Sequence, residues 1–201
     1  MSEQKIVDLF MDKVFGKIAN TSDLNQAHDG KKGHWLETQM GVKRNRNTAP
    51  DLLGYEMKDG TSSKVSFGDW SADYYLFDNE EIFPNTENLK RVQRRDKLFL
   101  PVFGKANEKK QGRFSWSGEP IPKINEYSTH GTILTVDENH NILITYSFMN
   151  DKRENKLSIV PIELQLENLI LAEWHADTMR KKVDEKFNQK GWFVCKKDKK
   201  T

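Results

Sequence analysis

The sequence predicts an α/β or α+β domain in which helices surround a mixed central β-sheet. Apolar residues recur at helical spacing over residues 4–18, which indicates an amphipathic helix. Two β-rich runs enclose DENHN within residues 131–148, which is the pattern of a β-hairpin. Residues 166–191 have the character of a long helix closed by Gly191, and the β-rich run at 192–195 predicts a final strand.

The segments that follow the first helix alternate between loops, a helix and a strand. Residues 19–33 are rich in Asn, Asp and Gly and predict a loop. Residues 34–40 predict a short helix that ends at Gly41. Residues 42–50 predict a polar, basic loop, and residues 52–58 are predicted to form a strand.

The later segments add one helix and several extended runs. Residues 85–104 have helical character as far as Pro101, and residues 156–164 are predicted to be extended near Pro161. The chain has no internal repeat and no low-complexity segment, so its 201 residues suit one domain. Further strands, the last of them a strand or a binding loop, are predicted at SKVSFGDW (63–70), DYYLF (73–77) and GRFSWSG (112–118).

The charges of the chain are clustered, although the net charge of +2 is close to neutral. Local basic patches on a nearly neutral chain are typical of a protein with one face for phosphate groups. Taken alone, each cluster is more often an ordinary solvated face. Basic clusters lie at residues 42–46, 89–97, 104–113 and 194–200, and an acidic cluster lies at 78–87.

The composition excludes several classes of protein. Cys195 is the only cysteine, so neither an intrachain disulfide nor a cysteine metal site can form, which fits a reducing compartment. The N-terminal segment is charged throughout, and no apolar run approaches membrane-spanning length. The chain contains no P-loop, dinucleotide-binding fingerprint, zinc motif or nucleophile elbow. We therefore expect a soluble cytoplasmic protein.

The stretch PDLLGYEMKDG (50–60) places charged side chains within an apolar run. In a strand, Glu56 and Lys58 would share one face while apolar side chains cover the other. Asp51 would lie about 16 Å from Glu56 in a straight strand, whereas a shared metal ion needs both carboxylates within about 2.5 Å of it. The chain must therefore bend between the two carboxylates, and Gly54 permits such a bend.

Two carboxylates and an ammonium in this arrangement suit phosphodiester hydrolysis. Carboxylate oxygens can hold Mg²⁺, which lowers the pKa of a bound water and stabilises charge that builds on a phosphate. The ammonium of Lys58 can offset the same charge. The pattern alone is weak in a chain that is 31% charged, and its alternative is a surface salt bridge. The apolar opposite face and the preceding Pro-Asp favour the functional interpretation.

This stretch resembles the PD-(D/E)XK nucleases, and within them the MutH-like restriction endonucleases of the MvaI/BcnI type. Those enzymes carry an Asp after Ala-Pro, a four-residue gap and then Glu-x-Lys, which correspond here to Asp51, Glu56 and Lys58. Their upstream helix carries a glutamate that faces the active site, and GHWLETQMG (33–41) has Glu37 at the matching position. The resemblance is firm over about residues 31–70 and general beyond them.

The resemblance implies a restriction-endonuclease-like central mixed β-sheet flanked by helices, in a single domain of residues 1–201. The catalytic core would span about residues 31–150, and the helix and strand within 157–201 end so abruptly that a C-terminal truncation is left open. The implied function is a type II restriction endonuclease of the bacterial cytoplasm that cuts both strands of a short site in duplex DNA. A cognate DNA methyltransferase would protect the host genome.

The resemblance also assigns catalytic roles. Asp51 and Glu56 would bind Mg²⁺, for which Mn²⁺ would substitute. Lys58 would assist the attacking water, and Glu37 would support the site as a nearby group or an additional metal ligand. The alternative for Glu37 is an exposed helix glutamate. His34 lies one helical turn before Glu37 and shares its face, so it could touch a phosphate or simply pack.

Candidate DNA contacts lie beside the motif and in the segment GRFSWSG. Lys and Arg can hold backbone phosphates, Arg can bind guanine through two hydrogen bonds, and Ser can contact base or phosphate. The alternatives are a solvated loop beside the motif and a hairpin with a core tryptophan at GRFSWSG. The candidates are Lys43, Arg44, Arg46, Lys64, Arg113, Ser115 and His130.

Two other functions are left open by the sequence. A MutH-like repair nuclease would nick one strand under the control of a partner protein. A DNA-binding module would carry an inactive or secondary nuclease site, although the three intact motif residues argue against it. The recognition sequence and the choice between monomer and dimer are also left open, because base contacts depend on a few loop side chains.

Overall fold

The chain forms two compact units, one made of residues 1–69 with 180–201 and the other of residues 70–179. No helix in the described part of the chain is both long and apolar enough to cross a membrane. The predicted strand at 63–70 lies outside the described residues except for Trp70. The computed structural model describes residues 2–24, 30–42, 49–60 and 70–196.

The described residues form six α-helices and nine strands. Short 3₁₀ turns lie at Leu76–Asp78, Glu108–Lys110 and Ile162–Leu164, and a π-helical segment lies at Arg95–Phe99. The helices are α1 (Ser2–Lys13), α2 (Lys31–Gln39), α3 (Arg91–Arg94), α4 (Leu100–Phe103), α5 (Lys156–Ile159) and α6 (Ala176–Lys186). The strands are β1 (Glu56–Asp59), β2 (Tyr74–Tyr75), β3 (Lys105–Asn107), β4 (Arg113–Ser115), β5 (Lys123–Ile124), β6 (His130–Val136), β7 (Ile142–Asp151), β8 (Leu169–Trp174) and β9 (Trp192–Cys195).

The first unit is built around a parallel pair of strands, β1 and β9, in which Glu56 lies opposite Trp192. Helices α1 and α2 cover this pair with the apolar faces that their spacing predicts. The final strand is confirmed at its predicted position, and both predicted helices are confirmed with shifted ends. The buried apolar residues of this core are Ile6, Leu36, Met40, Met57 and Cys195.

The second unit contains a five-stranded mixed sheet with the order β2-β8-β7-β6-β5. Its neighbours are antiparallel except for β5 and β6, which are parallel. The predicted hairpin is confirmed as β6 and β7. Asp137 stabilises its turn, since its carboxylate accepts hydrogen bonds from the backbone N–H and the side-chain amide of Asn141 at 2.8 and 3.0 Å. The predicted mixed sheet with helices is therefore confirmed.

Aromatic side chains fill the core of the second unit. Tyr75 stacks on Phe77 with ring centroids 4.8 Å apart, and edge-to-face or tilted contacts continue through Phe99 and Phe103 to Tyr146. Such pairs stabilise beyond the area that they bury, by about 1 kcal/mol each. These five rings form one continuous row in the core of the second unit.

The predicted long helix at 166–191 is wrong in its first half, which forms strand β8. Leu171 and Ala172 in this strand are fully buried in the core of the second unit, and β7 and β2 pair with the strand on either side. A short apolar run does not distinguish a buried strand from a helix by its periodicity, so the long-range pairing decides. Helix α6 begins only at Ala176.

Two other predicted elements are also corrected. The segment 156–164 is extended at Val160 and Pro161, as predicted near the proline, but it forms α5 before them and a 3₁₀ turn after them. Lys156 anchors the helix because it donates hydrogen bonds to the carbonyls of Phe148 and Asp151. The strand predicted at 73–77 is limited to β2 and continues as a 3₁₀ turn.

The helical run that begins at Arg91 continues past Pro101 rather than ending there. The π-helical segment precedes α4, and Pro101 lies in the first turn of α4. The hydrogen-bond pattern changes at the π-helical turn directly before the proline, and the run continues past Pro101 although this residue has no N–H to donate.

Polar side chains in the second unit form a buried network around Asp151. Arg153 donates to Asp151 with a shortest distance of 2.6 Å and to the carbonyl of Val102 at 2.8 Å, while the Tyr146 hydroxyl donates to Asp151 at 2.9 Å. Burial alone would raise the pKa of Asp151, but the hydrogen bonds and charge of Arg153 hold it below its ordinary value. Burial and the bond to Asp151 raise the pKa of Tyr146.

Asp151→Asn is expected to lower the free energy of unfolding by about 3 kcal/mol near neutral pH, because Arg153 loses its buried counter-charge. Since the pKa of Asp151 is lowered by folding, its contribution exists above the ordinary value of 3.8 and is lost as the pH falls through the folded value. Urea unfolding across this range measures the effect. The difference from wild type should shrink in acid, and a constant difference would contradict the assignment. Exposed Asp184→Asn serves as the control, with an expected change within about 0.5 kcal/mol.

Candidate active site

A tight turn bends the chain just before Glu56. Leu52 and Tyr55 exchange two backbone hydrogen bonds of 3.0 and 2.9 Å. Between them, Leu53 has a φ of 52° and Gly54 a φ of 88°. Two consecutive positive φ values are the signature of a type I′ turn. The bend predicted at Gly54 is confirmed, whereas the predicted strand start at residue 52 is wrong because the turn occupies residues 52–55.

The turn folds Asp51 back against strand β1. Its Oδ2 accepts a hydrogen bond of 3.0 Å from the backbone N–H of Met57. Burial raises the pKa of Asp51, and the Glu56 carboxylate raises it further, against the lowering effects of the Met57 N–H and of Lys186. The two carboxylates of the motif therefore lie close enough for each to affect the charge of the other.

Glu56 is the buried charge of the site, with only 3% of its surface exposed. Its Oε1 lies 2.8 Å from the Lys58 ammonium and 3.3 Å from that of Lys186. Its Oε2 is buried and has no hydrogen-bond partner among the described residues. A buried carboxylate oxygen without a partner is costly, so this atom is suited to accept a ligand.

The ring of Phe187 lies beside both ammonium groups. The Lys58 Nζ is 5.5 Å and the Lys186 Nζ 6.0 Å from the ring centroid, which permits cation–π attraction. Sequence reasoning missed Lys186 and Phe187, because they lie far from the motif along the chain. Strand β9 follows them and pairs with β1, and no local pattern in the sequence signals that pairing.

A groove of about 760 Å³ lies beside the turn, and Asp51, Glu56 and Lys58 are not among the residues that line it. Its lining residues are Ala49, Pro50, Leu53, Gly54, Glu185, Gln189 and Lys190. Among the described residues, no group of three or more His, Cys, Asp or Glu side chains could together hold a metal ion. Within the described part of the chain, the turn brings together the two carboxylates of the motif, Asp51 and Glu56.

Comparisons with known proteins agree with this motif. The family model of the LlaMI restriction endonuclease matches residues 14–201. The type II restriction enzyme ScrFI of Lactococcus lactis subsp. cremoris is 39% identical over 208 residues, which cover 98% of this chain and 76% of that enzyme.

The chain belongs to the LlaMI restriction endonuclease family. It is a type II restriction endonuclease, an enzyme that cleaves DNA. The restriction endonuclease MvaI, solved in complex with its cognate DNA substrate, shares the fold with a TM-score of 0.57 at 17% identity, over 98% of this chain and 68% of that one. The resemblance to the MvaI/BcnI type is thereby confirmed at the level of the fold, and the prediction of a restriction endonuclease at the level of the family.

Glu37 lies on helix α2 of the endonuclease and pairs with His34, as their spacing predicts. His34 Nδ1 and Glu37 Oε2 are 3.1 Å apart, and both side chains are more than one-third exposed. The helix begins at Lys31, earlier than predicted, and ends before Gly41, whose φ is 76°. The catalytic role of Glu37 stays a prediction.

The candidate DNA contacts fall into two groups. Arg113 and Ser115 lie on β4 in the second unit, where Arg113 is exposed and the Ser115 hydroxyl hydrogen-bonds to that of Ser117 at 2.7 Å. Trp116 packs against the core and donates to the carbonyl of Phe103 at 3.1 Å, as the core alternative expects. The remaining four loop and strand candidates, Lys43, Arg44, Arg46 and Lys64, lie outside the described residues.

His130 is buried at the start of β6, with 5% of its surface exposed. Burial lowers its pKa, and the charge of Arg153 lowers it further. Its Nδ1 lies 3.2 Å from the Thr129 hydroxyl. A neutral, buried imidazole gives no support to a direct DNA contact, so that role stays a prediction.

Two substitutions in the turn before Glu56 are expected to change the free energy of unfolding in opposite directions. Gly54→Ala is expected to destabilise the endonuclease by about 1 kcal/mol, because alanine is strained at positive φ. The new methyl group would also meet the side chain of Lys190 at 3.2 Å. Leu53→Asn is expected to be neutral or stabilising by up to about 1 kcal/mol, because Asn-Gly favours a type I′ turn. Urea unfolding midpoints measure both changes, and equal losses in both variants would contradict this turn geometry.

Proposed function

We propose that the endonuclease hydrolyses both strands of double-stranded DNA at a short specific site, with Asp51, Glu56 and Lys58 as its catalytic residues and Mg²⁺ as its cofactor. The observation that carries this proposal is the buried Glu56 carboxylate. One of its oxygens is held by ammonium groups and the other has no partner among the described residues. Asp51 adjoins it as a second carboxylate.

The residues present fit a magnesium ion. Mg²⁺ prefers oxygen ligands and keeps several waters, so one or two carboxylates suffice to hold it. Asp51 and the unpartnered Oε2 of Glu56 would supply these oxygens. When bound, Mg²⁺ lowers the pKa of a coordinated water and stabilises negative charge on the phosphate. Mn²⁺ has similar ligand preferences and is proposed to substitute for it.

The other groups of the site have separate proposed roles. The backbone N–H of Met57 fixes the direction of Asp51 before any ligand arrives. The ammonium of Lys58, 15% exposed, is held at Glu56 and can assist the attacking water and offset charge on the reacting phosphate. Low exposure strengthens these interactions because water screens them less. Glu37 is proposed to support the site from helix α2.

DNA binding is proposed to use positive and polar side chains outside this centre. Phosphate contacts from arginine and lysine position the duplex, while base edges supply specificity. We assign these roles to the candidates from the sequence: Lys43, Arg44, Arg46, Lys64, Arg113, Ser115 and His130. Among them, Arg113 has the best structural support, because its side chain is exposed on a strand.

The biological setting is also a proposal. An enzyme that cuts a short site would damage its host genome, so a cognate DNA methyltransferase is the expected companion. The single cysteine, Cys195, fits the reducing bacterial cytoplasm. We further propose that residues 1–201 act as one endonuclease domain.

Digestion of unmethylated phage DNA tests the proposed reaction. With Mg²⁺ the purified protein is expected to yield discrete fragments, and with EDTA none, because removal of the metal leaves no activated water. Sequencing of the fragment ends gives the recognition site and the cut position. Cleavage that persists in EDTA would contradict the metal dependence, and nicks without double-strand breaks would indicate a nicking enzyme instead.

Asp51→Asn and Glu56→Gln are expected to reduce the cleavage rate by at least about 100-fold, because each removes a charge that the metal and the transition state require. Asparagine at position 51 can still accept the Met57 N–H, so this variant should fold. Initial cleavage rates and circular dichroism measure the two properties. Lys181→Gln changes one charge on helix α6, where Lys181 is 77% exposed, and serves as the active control. Full activity in Glu56→Gln would overturn the assignment of this site.

A further inference from the structure

Lys186 is the last residue of helix α6, and the chain beyond it returns to the motif. The backbone N–H of Phe187 donates to the carbonyl of Val183 at 2.8 Å, and the backbone N–H of Glu56 donates to the carbonyl of Gly191 at 3.1 Å. Strand β9 then runs parallel to β1. This connection holds the end of α6 beside the buried carboxylate, within one compact unit.

Two ammonium groups share a single oxygen of Glu56. Lys58 lies 2.8 Å and Lys186 3.3 Å from Oε1, and their side chains are only 15% and 20% exposed. Lys58 belongs to the Glu-x-Lys motif and has a proposed role in the reaction. The motif gives Lys186 no role, although it makes the same kind of contact.

The charges at this site balance in the absence of a metal ion. When both carboxylates are ionised, the two negative charges of Asp51 and Glu56 match the two positive charges of Lys58 and Lys186. A divalent cation at the carboxylates would add two further positive charges close to both ammonium groups, in a region of low exposure where Coulomb repulsion is strong. The cation would use Oε2 and the ammonium groups use Oε1, so the competition is electrostatic, and withdrawal of one ammonium from Glu56 would strengthen cation binding.

The geometry indicates that Lys186 is the group that yields. Its contact with Glu56 is longer than that of Lys58, and its side chain is slightly more exposed. Lys58 lies two residues from Glu56 on the same strand, whereas Lys186 reaches the carboxylate from a helix end through a flexible four-carbon stem. Such a stem can swing to solvent or to a phosphate without a backbone change.

We propose that Lys186 is a positioning residue that holds the Glu56 carboxylate in the metal-free enzyme and competes with the divalent metal ion for it. This inference rests on the proposed metal site. Without Lys186, the buried Glu56 carboxylate would have Lys58 as its one ammonium partner among the described residues. The Lys186 ammonium therefore stabilises the folded site before the metal ion binds. The same contact weakens metal binding until the ammonium moves away.

Competition and simple structural support have different consequences for a Lys186→Gln variant. Under competition, the variant loses stability, because Glu56 keeps only one ammonium, yet it binds the metal ion more tightly. Under a purely structural role, stability and metal binding fall together. The opposite signs of the two changes therefore distinguish the two roles.

The experiment titrates Mn²⁺ into the DNA-free protein and measures free Mn²⁺ by electron paramagnetic resonance, with urea unfolding of each variant alongside. Lys186→Gln is expected to bind Mn²⁺ at least about fivefold more tightly than wild type, a factor typical of coupled sites, and to unfold at lower urea. Lys186→Arg keeps the positive charge and should bind Mn²⁺ like wild type. Lys181→Gln controls for the loss of one positive charge elsewhere on α6, and Glu56→Gln for the loss of the site.

Each outcome decides between the proposals. Tighter binding in Lys186→Gln with wild-type binding in Lys186→Arg and Lys181→Gln supports competition. Unchanged or weaker binding in Lys186→Gln, while Glu56→Gln abolishes the Mn²⁺ site, overturns the role of Lys186 and leaves the metal site intact. Wild-type Mn²⁺ binding in Glu56→Gln overturns the metal site itself, and the competition proposal with it.

Discussion

The first unit depends on one constraint, the compensation of the buried charge of Glu56. A carboxylate with 3% exposure loses most of its hydration, and that loss must be offset by partners inside the protein. Lys58 supplies one partner from the same strand, and Lys186 supplies another through the pairing of β1 with β9. The free oxygen, Oε2, is the part of this charge that the described side chains leave for a ligand.

The second unit also contains a buried carboxylate, whose charge is compensated in another way. Asp151 is also buried, but Arg153 and Tyr146 satisfy its carboxylate with several hydrogen bonds. That network lies beside an aromatic core and stabilises the sheet. The contrast between the two carboxylates separates a structural site from a candidate active site: a fully paired Asp151 has no oxygen for a ligand, whereas Glu56 does.

Elements with strong local signals were predictable, and elements that depend on distant pairing were not. The first helix, the hairpin at residues 131–148 and the strand at 192–195 have clear periodicity or turn chemistry. The sequence of β8 fits a helix as well as a strand, and only its pairing with β2 and β7 decides between them. Likewise, β1 begins at Glu56 and not at the predicted residue 52, because a turn with two positive φ angles precedes it.

The sequence by itself determined the local part of the site. Asp51, Glu56 and Lys58 lie within one short stretch, so their residue types and the bend at Gly54 could be inferred from spacing and strand geometry alone. Only the tertiary structure decided which of these charges is buried, which oxygen lacks a partner and that Lys186 joins them. The reason is physical: burial and ion pairing at Glu56 depend on β9 returning beside β1, a contact between distant parts of the chain that local propensity does not encode.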